Sequence, residues 1–181
     1  GITWSMYIFL RDQEQRFAEV AFNAKATDLE KTLYLRMKNY EQMLLGVAGL
    51  YEASNSVERD EFHAYVSRLH IEDNYVGVQG VGYAKWVAAE ELSKHISSIR
   101  TEGFPEFMVR PVGPRDHYAS IMYIEPFEGR NLAAFGFDMY SEAVRRTAMN
   151  NAVINNTTSL SAKVTLVQEN NMNVQAGMLM Y

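Results

Sequence analysis

The 181-residue chain has no cysteine. That excludes thiol catalysis, disulfide cross-links and cysteine metal sites, and it is compatible with an oxidising compartment. Proline and glycine are missing from a long stretch: residues 3 to 53 hold no proline, and after Gly1 the first glycine is Gly46. A basic face is missing as well. Lys and Arg total 17 against 22 Asp and Glu, for a net charge of −5. The densest basic pair, Arg145-Arg146, has Glu142 as a helical neighbour. Nothing here supports a nucleic-acid partner, which needs a positive surface. What is present is ordinary globular material. Hydrophobic residues make up 48% and charged residues 22%, enough apolar content for one domain or two small ones.

Metal and phosphate chemistry find no pattern either. The histidines are His63, His70, His95 and His117, with no HExxH and no i, i+4 pair. His63 and His70 stand two helical turns apart, about 10 Å along an axis, too far to share an ion. The glycines of "GVQGVGYAKW" (77–86) do not fall in the order G-x-G-x-x-G, and more strand follows them, so no helix N-terminus is there for a phosphate. No metal and no cofactor is expected.

The uninterrupted stretch reads as one helix. Leu29, Leu33, Tyr40, Leu44, Val47 and Tyr51 recur at three- and four-residue steps. Such a helix is about 75 Å long at 1.5 Å per residue. A small domain cannot cover it end to end, so part of it is expected to form a stalk, to pair with another copy, or both. Its start, "GITWSMYIFL", is apolar and lacks a starting Met. Two readings stay open: the outer end of a transmembrane helix, with Trp4 and Tyr7 at the interface, or an ordinary amphipathic helix start. The C-terminal "AGMLMY" reads as a strand in progress, so a fragment trimmed at both ends is expected.

Beyond the stalk, Ser56 is the expected N-cap of a helix carrying Phe62, Tyr65, Val66 and Leu69 on one stripe. A strand runs through "VGVQGVGYAKWV", with Gly80 placed to absorb a slip in its alternation. A helix with Leu92, Ile96 and Ile99 on one side ends at Gly103. Three strands, Phe107 to Arg110, Tyr118 to Ile124 and Leu132 to Phe137, are expected as an antiparallel meander. A helix from Ser141 to about Ile154 follows, then strands over Ala162 to Val167 and Val174 to Tyr181 around the turn "QENNMN".

At the junction of the third strand and that helix stand Asp138, Ser141, Glu142 and Arg145. One reading is an acid–base or hydrolytic corner using Asp138, Ser141 and Arg145. The other is structural, with Asp138 ending a strand and Ser141 capping the helix. The strands offer a different possibility. Tyr83, Phe107, Tyr118, Ile121, Tyr123, Phe135 and Phe137 stand among small residues such as Ala133, a mixture that can leave a pocket. Arg110 and Asp116 at strand ends would orient a ligand there, Arg110 favouring a carboxylate or another planar polar group. Alternation allows only about half of these side chains on one face. Ile121 and Tyr123 are expected on the pocket face, with Tyr118, Ser120 and Met122 on the other.

Four ordered blocks, "YEQMLLGVAGLYEASNSVERDEFHAYV", "GVQGVGYAKWV", "RPVGPRDHYASIMYIEP" and "GRNLAAFGFDMYSEAVRRTAMNNA", resemble the CHASE domain from about residue 40 to the C-terminus. That is the extracytoplasmic sensory module of bacterial histidine kinases and diguanylate cyclases and of plant cytokinin receptors. The resemblance implies an α+β fold: a long N-terminal stalk helix followed by tandem PAS-like units with antiparallel sheets. The stalk would cover residues 1–55, a membrane-distal ligand-binding unit 56–140, and a linking helix with part of a membrane-proximal unit 141–181. It implies a non-catalytic periplasmic or extracellular sensor of a small molecule, anchored in the cell membrane, dimeric through the stalk, that signals to a cytoplasmic output domain. Alternatives are a structural dimerisation module and a periplasmic hydrolase. "FGFDMYSE" matches the family's strand-to-helix junction, which implies that main-chain atoms of Phe137 face the ligand. The stretch "YIEPFEGRNLAAFG" departs from the plant sequences, so cytokinin is not implied as the ligand.

Overall fold

The computed structural model describes residues 2–166 and 176–181, and side chains over 16–166 and 177–181. The turn "QENNMN" and the side chains of Trp4 and Tyr7 lie outside the described residues, as does the first part of the strand expected over Val174 to Tyr181. The chain divides into two compact units, one ending at Gln42 and one spanning Met43–Tyr181.

Helix α1 spans Ile2–Glu52 without a break, as the absence of proline requires. In the first unit Phe17, Val20, Phe22, Leu29, Leu33 and Tyr34 are exposed. Thr27 and Thr32 turn inward along the helix and donate to the carbonyls of Asn23 and Asp28, one turn back. Lys38 pairs with Glu41 at 2.7 Å.

In the second unit the last turns of α1 pack through Met43 and Val47 against helix α2, Arg59–Arg68, which offers Phe62 and Val66. The helices approach closely because residue 46 is glycine; a side chain there would collide with the Tyr65 hydroxyl. The cap of α2 is Glu58, in a capping box with Glu61, whose carboxylate accepts the Glu58 N–H at 2.9 Å. Ser56 is therefore not the cap; Glu61 three residues on makes position 58 the better start. A short helix α3, Ile71–Asn74, leads to strand β1, Val81–Ala88. Helix α4, Leu92–Thr101, stops before Gly103, whose φ of +108° only glycine adopts freely.

Strand β2, His117–Glu125, pairs antiparallel with β1. Tyr83 faces Tyr123 but Ala84 faces Ile121, so Met122 is the extra residue of a β-bulge. The slip thus falls on β2 and not at Gly80. Gly80 serves close packing: a Cβ there would meet the Glu125 carbonyl and the Asn131 amide, which bonds the Gln79 and Pro126 carbonyls.

The other edge of β2 departs from the expected meander. Residues 132–134 belong to a 3-10 turn, Gly129–Ala134, and Phe107–Arg110 is not a strand. Instead a short ribbon through Phe137 and Asp138 lies beside β2, and Arg110 bridges to Phe137 in parallel. Ile121 N–H donates to the Phe137 carbonyl at 3.0 Å, and Arg110 N–H to that of Gly136 at 2.9 Å. Gly136, at φ +80°, breaks the extended run that its apolar neighbours suggest.

Helices cover one face of this sheet and later elements cover the other. Val81, Tyr123, Val87 and Tyr118 meet α2 and α4 through Phe62 and Ile99. Ala119, Ile121 and Ile124 meet Met139 and helix α5, Ala143–Asn155, along with Leu179 and Tyr181. After α5 two short strands, β3 at Val164–Thr165 and β4 at Ala176–Gly177, pair antiparallel. The expected strand over Ala162 to Val167 is therefore two residues long among the described ones.

Candidate functional site

The bulge at Met122 reassigns the side chains. A one-residue insertion exchanges the faces beyond it. Tyr123 therefore joins Tyr118 and Ser120 on the helix-covered face, while Ile121 stays with Ala119 on the opposite one. The expected pairing of Ile121 with Tyr123 does not form.

The structure brings together Tyr83, Phe107, Tyr118, Tyr123 and Phe135 under the helices. Tyr83 stacks on Tyr51 at 4.1 Å. Tyr123 is buried with its hydroxyl donating to the Val57 carbonyl at 3.0 Å; burial first, and Glu102 next, push its pKa up to about 12. The Tyr118 hydroxyl donates to the Gly113 carbonyl and accepts the Arg115 N–H. Ile121 and Phe137 lie on the other face. The main chain of Phe137 is committed, its N–H to Ala134 and its carbonyl to Ile121. Ala133 is exposed on the 3-10 turn, because the strand expected to carry it inward does not exist. Asp116 is exposed just before β2, its carbonyl accepting the Ala89 N–H, while Arg110 Nη2 donates to the Ala133 and Phe135 carbonyls at 2.9 Å each.

Two open clefts flank the segment at Phe107–Arg110. One, about 460 Å³, is walled by Phe104, Phe107, Met108, Arg110 and Phe135. The other, about 430 Å³, lies between Leu92, Ile96 and Arg100 of α4 and the loop Pro111 to Pro114, with Tyr118 at its floor. The aromatic wall continues inward: Phe135 contacts Phe104, Phe107 and Phe127 at centroid distances of 4.8 to 5.3 Å.

Polar groups without partners sit on the same face. Ser120 Oγ, His95 Nε2 and Arg59 Nε are buried and unbonded, where native proteins almost always satisfy such atoms. His95 packs edge-on to Phe107 at 5.8 Å. Burial, aided by Lys85, lowers its pKa to about 4, so it is neutral at pH 7. Arg59, Glu102 and His95 were not expected around the aromatic cluster. The signal for His95 was present: it shares the helix face of Leu92, Ile96 and Ile99, where a polar residue must be buried.

The Asp138 corner is structural. Asp138 is fully buried; its Oδ1 accepts the N–H groups of Ala119 at 2.8 Å and Tyr140 at 3.0 Å, extending the ladder past the end of the ribbon. Its other oxygen lies 3.5 Å from Arg115 Nε. Ser141 does not cap α5. Its hydroxyl donates to the Asp138 carbonyl at 2.6 Å, and Glu142 is the cap. Arg145 is buried, bonded to Glu142 and to the Thr165 carbonyl, and lies over the Phe137 ring at 4.9 Å. A second arrangement has the order of a hydrolytic triad: Ser67 Oγ lies 3.5 Å from His63 Nε2, and His63 Nδ1 lies 3.0 Å from Glu125. Ser67 stands inside α2, where backbone N–H groups are already spent on the helix and none faces an oxyanion. Among the described residues no group of three His, Asp or Glu is placed to hold a metal, and no helix is long and apolar enough to cross a membrane.

The chain thus consists of a long helix and an α+β unit in which an aromatic cluster borders an open cleft. The chain belongs to the CHASE domain family, whose model matches residues 55–181. CHASE domains are extracytoplasmic sensory domains and not catalytic ones. No curated protein matches the chain.

Proposed function

We propose that the chain is the ligand-sensing part of a transmembrane receptor. In this reading it lies in the periplasm or outside the cell, binds a small molecule at the cleft between Phe104–Arg110 and Phe135, and signals to a cytoplasmic histidine kinase or cyclic-di-GMP enzyme. Residues 56–140 form a PAS-like distal unit and 141–181 begin a proximal one. The observation that carries the reading is the open aromatic cleft, whose walls Phe107, Phe104 and Phe135 pack against His95 and Arg59, each with a buried, unpartnered nitrogen. A ligand in the cleft would pack on Phe104, Phe107 and Phe135. Arg110, in the cleft wall, would orient it.

The exposed apolar residues of α1, Phe17 to Leu35, support dimerisation along that helix. Native mass spectrometry of the chain purified from the periplasm tests the ligand. The expected spectrum shows a noncovalent small-molecule adduct that denaturation releases. A bare chain from every growth condition, unable to take up any metabolite, favours the structural dimerisation module instead. One observation does favour that rival: a side chain, Arg59, already fills part of the aromatic interior.

A further inference from the structure

Arg59 is held as a ligand would be held. Its guanidinium carbon lies 4.4 Å from the centroid of Phe104, 4.8 Å from Tyr123 and 5.3 Å from Phe135. Nη2 donates to the Glu102 carboxylate at 2.9 Å and Nη1 to the Met122 carbonyl at 2.8 Å. That carbonyl is available because the bulge removes Met122 from the ladder. Three aromatic faces, one carboxylate and one main-chain oxygen make the recognition chemistry of an organic cation. The two oxygens, each taking a different terminal nitrogen, suit a planar guanidinium better than a round ammonium.

The resident cation is imperfectly satisfied and borders an exit. Nε is buried with no partner, although the side chain as a whole is 24% exposed. Phe104 and Phe135 are also walls of the 460 Å³ cleft. We propose that this cage is a binding site for an external alkylguanidinium, and that Arg59 is a tethered competitor which yields to it. The proposal rests on the sensing function and names its ligand class. It also supplies a signal. Arg59 is the first residue of α2, and α2 packs on Met43 and Val47 of α1. Releasing Arg59 removes the bonds from the start of α2 to the Met122 carbonyl and to Glu102, and leaves His63 against Glu125 as a remaining polar contact of α2 with β2.

The test uses n-butylguanidinium as probe, with calorimetry and NMR of arginine-labelled chain. The probe is expected to bind wild type and to move the Arg59 Nε–H signal to a solvent-exposed position. Arg59→Met, which keeps the stem, should tighten binding by about tenfold or more, because a competitor at millimolar or higher effective concentration is gone. Adding Glu102→Gln should weaken it again by about tenfold or more. n-Butylammonium should bind more weakly than the guanidinium in each case. No binding to Arg59→Met, or binding indifferent to Glu102→Gln, overturns the cage. So does binding to wild type that leaves the Arg59 signal unmoved, an arm that stands even if Arg59→Met fails to fold. A different metabolite that stabilises the chain regardless of Arg59 and Glu102 overturns the cage and leaves the sensing function intact; a chain that takes up neither probe nor metabolite overturns both.

Discussion

Acidification isolates His95. The residue is 7% exposed, and burial with the nearby Lys85 charge holds its pKa to about 4, against 6.5 when unfolded. The unfolded chain therefore takes up a proton that the folded chain refuses. Stability from this source is complete above pH 6.5 and is lost as pH falls toward 4. At about 1.36 kcal/mol per pH unit, moving from about pH 7.5 to about pH 5 costs about 2 kcal/mol. Urea unfolding followed by far-ultraviolet circular dichroism measures it, with His95→Leu as the control. Leucine removes both the titration and the unpartnered Nε2, so the variant should equal or exceed wild type at neutral pH, by about 1 kcal/mol. Its advantage should then widen by about 2 kcal/mol on acidification. Ionisable groups away from residue 95 are common to both chains and cancel in the difference. Parallel loss of stability in wild type and His95→Leu would refute the reasoning.

Glu142→Ala should cost about 2 kcal/mol, since it removes the cap of α5 and the carboxylate beside buried Arg145; Ser141→Ala should cost less than about 1 kcal/mol. Denaturant midpoints check the order, and a larger effect at Ser141 would restore it as the cap. Gly136→Ala should destabilise by more than about 2 kcal/mol, because φ is +80° and the new methyl would meet the Met108 carbonyl. Hydrogen exchange should then show faster exchange at the Arg110 amide, and an unchanged rate would contradict this. Cysteines placed singly along residues 16–40 of the proposed receptor should cross-link between copies with helical periodicity, as pairing through α1 requires; uniform or absent cross-linking would exclude it.

Local chemistry accounts for what was legible. The long helix follows from missing breakers, and β2 from its run of aromatic and β-branched residues. The sites that escaped depend on tertiary events. No residue in "SIMYIE" announces a bulge at Met122, yet that single insertion decides whether Tyr123 or Ile121 faces the helices. Nothing local marks Arg59, which stands between Glu58 and Asp60; its aromatic cage assembles from Phe104, Tyr123 and Phe135, 45 or more residues away. Leu132 to Phe137 has strand composition, but Gly136 at positive φ and the 3-10 turn before it prevent a strand. Asp138 and Ser141 were rightly seen as a junction, and the capping role moved one residue, to Glu142.

If a small molecule occupies the aromatic cleft, filling that cleft must block it. Met108 is exposed and lines both clefts, so Met108→Trp should fill the space and spare the core. Thermal unfolding of wild type and Met108→Trp across a metabolite library tests the claim directly. At about 100 times its Kd a ligand contributes about 2.7 kcal/mol, which raises Tm by about 5–10 °C for a chain of this size. The expected result is a compound that does so for wild type and not for Met108→Trp. A compound that stabilises both equally, or a library in which none stabilises wild type, would contradict it.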